Sequence, residues 1–292
     1  MTLGAGIISG NWMLSVGEVL IEDAEDVRFT QNNSVILGGY GYVIAGGRMT
    51  IRDSRVTRFP SNGKWNSGTF YDSTIVGSKG VGIVTIEGRS VVTNRHVIGY
   101  DSSGCGAVGL RGGRLVEYCP DPVNEFQSSV VGNNGYGYFE VGAGTVCDIQ
   151  GKQYLGQAEG GQGVFVQKGG VVNHSKPWMT GYDNNWTLAN GKGSAAVVMI
   201  EGGVHTNAAD TSICNGADSR AYYTIEGGEY INQRPANPNR AQNANSLTVI
   251  NLNGGVFSAW DVAKARASYP EGVVAGAYVN FDGGTFLGMK NN

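Results

Sequence analysis

The chain has 292 residues, a formal net charge of −3, 15% charged residues, 48 glycines and four cysteines. A surface that tracks phosphates needs clustered Lys and Arg, and the longest basic cluster runs only from Arg52 to Arg58, so nucleic acid is excluded as a partner. Four cysteines are too few for a disulfide scaffold, and no run of 18 apolar residues offers a membrane span.

In chain order, the first six residues lack the basic start and apolar run of a secretion signal. Two short strands are expected at residues 19–21 and 27–29, around the acidic stretch 22–26. Residues 1–33 otherwise match the remainder of the chain poorly, and are expected to form an N-terminal cap for the domain at 34–292.

From residue 34 onward one phrase recurs, at residues 41–49, 83–91, 107–115, 138–146, 164–172, 197–207, 222–232, 249–257 and 278–286. Its fullest statements run Val197-Val198-Met199-Ile200-Glu201-Gly202-Gly203-Val204-His205 and Tyr222-Tyr223-Thr224-Ile225-Glu226-Gly227-Gly228-Glu229-Tyr230. The second glycine falls at Gly47, Gly113, Gly144, Gly170, Gly203, Gly228, Gly255 and Gly284, with Arg89 in its place once. The 42-residue step from Gly47 to Arg89 is divided by Ser67-Gly68-Thr69-Phe70, taken as a degenerate tenth copy.

Three and five residues before this glycine the columns are apolar, with Ile200, Ile225, Leu252 and Phe281 in one and Val198, Tyr223, Ile250 and Val279 in the other. Two residues before it the column is mostly polar, including Glu87, Arg111, Lys168, Glu201, Glu226, Asn253 and Asp282. That alternation is the period of a strand with one buried face. Two residues after the glycine, Val91, Leu115, Val146, Val172, His205, Tyr230, Phe257 and Phe286 mark a second inward strand beyond a bend.

Between copies lie turn-forming excursions at 59–64, 118–124 and 233–243, and the longest at 174–186. Residues 260–267 have the best local helix propensity in the chain. Units of two or three short strands with uneven connections cannot bury their own apolar faces, and stacking makes the core continuous.

These residues resemble the right-handed parallel β-helix superfamily of pectate lyases, autotransporter passengers and phage tailspikes, over about residues 34–288. The resemblance implies an all-β, right-handed parallel β-helix (β-solenoid) of about ten or eleven rungs. It specifies architecture and no activity.

For chemistry, the paired acidic and basic motifs of polysaccharide-cleaving β-helices are missing from the sequence, and no catalytic residue is assigned. Trp178, Tyr182 and Trp186 are the candidate ligand-binding residues, because exposed aromatic faces stack on sugars and anchor protein contacts. The outward column Glu201, Glu226, Asn253 and Asp282 is read as a solvated face rather than a calcium site, and no metal or cofactor is expected. His205 is read as a hydrogen-bonded core residue, Asn207 and Asn232 as an amide ladder, and the cysteines as buried small hydrophobes.

The expected role is a non-enzymatic extracellular structural, fibre-forming or adhesive protein of a bacterial surface or a phage particle. Self-association is the expected partnership, with a glycan or a cell-surface protein as a further partner. The alternative role is a polysaccharide-binding or polysaccharide-degrading β-helix.

Overall fold

The computed structural model describes residues 2–3, 6–9, 12–14, 17–30, 35–38, 46–59, 73–118, 127–175, 185–208, 210–233, 236–237, 245–259 and 276–288. They form a parallel β-solenoid with no helix among the described residues. Two sheets hold eleven strands each and a third holds nine, and every strand pairs in parallel with its counterpart one turn along the chain. As far as Ala236–Asn237 the chain visits the first, second and third sheet in that order, and the last two turns have described strands in the first and second sheets, so strands neighbouring in sequence lie in different sheets.

Apolar alternation produces the core. In the first sheet Ile86, Leu110 and Val141 stack in register on one side of Gln167, and Ile200, Ile225 and Leu252 on the other. All seven are buried. Phe281 continues the column above Leu252 but is 60% exposed, which corrects the expectation that it is buried with the others. Its strand is the last of the first sheet, so nothing among the described residues stacks on its outer side.

The corner between the first and second sheets is where glycine is required. Gly203 has φ +81°, and a Cβ there would lie 2.3 Å from the carbonyl oxygen of Gly170, one turn below. Gly228 repeats the arrangement on Gly203 at φ +73° and 2.6 Å. The rungs thus approach backbone to backbone at this corner.

Corner length also corrects the register of the second strand. The inward column runs Val92, Leu115, Cys147, Val172, His205, Tyr230, Phe257 and Phe286. Val92 and Cys147 replace the expected Val91 and Val146, because those two corners hold one extra residue and a slip of one reverses the face.

Within the segment 1–33, expected as an N-terminal cap, Thr2–Leu3 pairs onto Leu20 and Ile21, and Gly6–Ser9 onto residues 27–30. Ile21 in turn pairs with Ile51, and Ile51 with Ile86. The true register therefore places Ala24 and Ser54 at the corner position assigned to Gly47. The degenerate copy at Ser67 to Phe70 lies outside the described residues, and the first-sheet strands before and after it, Gly47–Arg52 and Val81–Glu87, are directly paired.

Outside, charges of opposite sign alternate along the first four turns of the corner column, Glu22, Arg52, Glu87 and Arg111. Arg52 bridges Glu22 and Glu87, one turn below and one above, at 2.6 Å each. Opposed like charges are thereby avoided on these turns, whereas Glu201 and Glu226 follow one another higher in the column.

Candidate functional site

Three of the long connections leave from one corner. Phe59 to Thr74, Tyr118 to Gln127 and Ser175 to Asn185 all join the second sheet to the third. Trp178 and Tyr182 fall on the last of these, outside the described residues, as does the helix-prone stretch 260–267. Trp186 is described, and its position corrects its assignment as a ligand-binding residue. It starts the inward face of Asn185–Leu188 and is fully buried, with no ring face open to a ligand.

Trp186 is the hub of a polar and aromatic stretch of core. Its ring lies 4.8 Å from His174, 5.0 Å from His205 and 5.7 Å from Tyr223, measured between centroids. Tyr230 stacks onward to Phe257 at 5.3 Å, and Phe257 to Phe286 at 5.9 Å. His205 is the hydrogen-bonded core residue expected. Its Nδ1 lies 3.0 Å from Oε1 of Gln167, whose Nε2 donates to the carbonyl of Val204. Burial lowers the His174 pKa to about 3, and burial together with the neighbouring His174 lowers that of His205 well below the ordinary range. Both imidazoles are therefore neutral at pH 7.

The expected amide ladder is only half right. Asn207 and Asn232 are paired in register and both fully buried. The Asn207 amide donates to Thr211 Oγ1 at 2.7 Å and to the Tyr230 hydroxyl at 3.3 Å, not to Asn232. Its partners come from the third sheet and the next turn because both point into the same interior.

A second buried network is one that the sequence did not reveal. His96 Nδ1 and Glu117 Oε1 form a hydrogen-bonded pair, and the His96 backbone N–H donates to Glu117 Oε2 at 3.1 Å. Asn94 Nδ2 reaches His96 Nε2 at 3.0 Å and donates to Thr74 Oγ1 at 2.8 Å. His96 and Glu117 are 1% and 0% exposed, so the pair has no face for a substrate and braces adjoining sheets. The run Asn94-Arg95-His96, polar and buried where the second-sheet strand ends and the third-sheet strand begins, was the available signal.

Of the cysteines, Cys147 and Cys214 are buried as expected, and Cys105 is exposed, contrary to expectation, on the outer face of the first sheet. Cys119 lies outside the described residues. In the outward acidic column Asn253 Nδ2 donates to Glu226 at 2.9 Å. No cluster of His, Cys, Asp and Glu among the described residues is placed to hold a metal ion.

The surface best suited to binding is the end of the solenoid after the last described turn. Val279, Phe281 and Phe286 are 37%, 60% and 39% exposed, directly above Ile250, Leu252 and Phe257. Phe281 and Phe286 meet edge to face at 6.2 Å. Among the described residues the third sheet ends at Ala236–Asn237, two turns short of the other sheets. The chain was compared with protein-family models, curated proteins and solved structures, and matches none of them.

Proposed function

We propose that the protein is a non-enzymatic structural β-solenoid that joins end to end with further copies of itself, on the outside of a cell or in a virus particle. The observation that carries this reading is the exposed apolar rung formed by Val279, Phe281 and Phe286. The strands beside it, Gly276–Phe281 and Thr285–Gly288, are edge strands among the described residues, and a second chain adds strands to such an edge through its backbone groups.

All three sheets are parallel, so the two ends are unlike surfaces with the same strand direction. The edge strands Thr2–Leu3 and Gly6–Ser9 at the other end belong to the same two sheets and run in the same direction, with Trp12–Leu14 as the edge of the third sheet beside them. Head-to-tail joining of unlike ends does not close, and growth gives a fibre. The architecture is akin to autotransporter passengers and tailspikes, which supports a place outside the cell.

The test is light scattering over a concentration series, with Phe281→Lys/Phe286→Lys as the variant. Growth with concentration that the lysines abolish supports the proposal. A monomer at high concentration, or a lysine variant that grows equally well, contradicts it.

A further inference from the structure

The outer face of the first sheet carries a ladder that the alternation of buried and polar residues does not call for. Ile83, Ala107, Tyr138, Val164, Val197, Tyr222, Val249 and Tyr278 are paired turn by turn and all point away from the core. The first seven are half-buried by one another and Tyr278 is 58% exposed. Beside the middle of the ladder Val166 and Met199 extend the apolar surface on one side, while on the other Ala195 stands between Gln162 and Arg220, so two columns are apolar there. Cross-strand pairs of aromatic and β-branched residues stabilise a sheet face, and a contiguous apolar ladder of this length on an outer face also marks an interaction surface.

The order of the ladder identifies its occupant. Read along the solenoid axis, the centre runs Tyr138, Val164, Val197, Tyr222, a sequence that reads the same in both directions. A two-fold axis parallel to the strands, passing between Val164 and Val197, reverses the order of turns and keeps each column opposite itself. It sets Tyr138 against Tyr222 of a second copy and Val164 against Val197.

The same operation sets Lys168 against Glu201 of the second copy, and Tyr136 against Arg220, pairing opposite charges and an aromatic ring with a guanidinium. Eight turns at about 4.8 Å, by three to four outward columns, give roughly 600 Å² per copy, or ~1,200 Å² in all, the size at which specific interfaces begin. We infer that the outer face of the first sheet is a two-fold interface with a second copy of this chain, sheet against sheet, centred between Val164 and Val197.

This contact closes on itself and is separable from end-to-end growth, which remains open. The test is sedimentation equilibrium in the Phe281→Lys/Phe286→Lys background, where the ends are blocked whether or not they associate. The expected species has twice the monomer mass of 30.7 kDa. Val197→Lys places two unpaired charges at the centre and should raise the dimer Kd by at least ~100-fold.

Because a central lysine could disturb folding, circular dichroism accompanies it and the surface pair provides a second arm. Lys168→Glu should weaken the dimer by about fivefold for each of its two symmetric pairs, and Lys168→Glu/Glu201→Lys should restore it. A monomeric background chain, a dimer indifferent to Val197→Lys, or an exchange of charges that fails to restore association overturns the inference.

Discussion

His174 and His205 lie on adjacent turns with their rings stacked, centroids 5.1 Å apart and planes inclined by 12°. Both are buried, and neither can accept a proton without placing a charge in the core.

Stability should therefore depend on pH. The folded-state pKa of each histidine lies below its unfolded value of 6.5, so between the two values the unfolded chain binds more protons. For a base so shifted, stability is complete above pH 6.5 and declines as pH falls, down to about 3 for His174. Each histidine contributes a slope approaching ~1.4 kcal/mol per pH unit. Denaturant unfolding at pH 7.5 and pH 5 should show the loss, and His174→Phe should remove about half of it. Equal stability at both values would mean that the pair is accessible to solvent.

Depth in the stack should set the cost of truncation. Ile225→Ala removes a fully buried side chain held between Ile200 and Leu252, and should cost about 2–5 kcal/mol. Phe281→Ala, in the same column but largely exposed, should cost well under half of that in the monomer. Comparable losses in thermal or denaturant unfolding would show that the last turn is covered in solution.

Corner glycines should divide by what stands beneath them. Gly203→Ala meets the Gly170 carbonyl at 2.3 Å, with the carbon of Gly169 at 2.7 Å, so backbone must shift. Gly193 also has positive φ, +62°, but nothing lies within 4 Å of the position a methyl group would take, and Gly193→Ala should cost only the left-handed conformation, about 1–2 kcal/mol. Gly203→Ala should exceed it clearly in the same unfolding assay, and the reverse order would contradict the stacked corner.

These contrasts mark what the sequence made legible. Ile200, Ile225 and Leu252 recur at a fixed distance from a glycine, and a period of two with a required bend is enough to derive a parallel solenoid. Legibility fails where the glycine does. Ala24 and Ser54 occupy the corner in the early turns, and with the marker gone those turns read as a cap or as a copy anchored on Gly47. An extra residue before Val92 and Cys147 shifted the face by one, which no column count detects without the pairing.

The sites were harder to read for a different reason. Trp186 lies in a stretch that looks like loop, and only the third sheet shows that it faces inward. His96 and Glu117 belong to different sheets and different columns, so no spacing joins them. The Tyr138 to Tyr222 ladder was present in the alignment six residues before the glycine, in a column whose apolar character is masked by its polar neighbours at the corner.

The most direct test of end-to-end assembly is negative-stain electron microscopy of the full chain, with particle length measured at two concentrations at least tenfold apart. The account predicts rods that lengthen with concentration in multiples of one solenoid, and rods of a single unit length, at both concentrations, for Phe281→Lys/Phe286→Lys. Single-unit particles in the unmodified protein at both concentrations, or multiples that persist in the lysine variant, would contradict it.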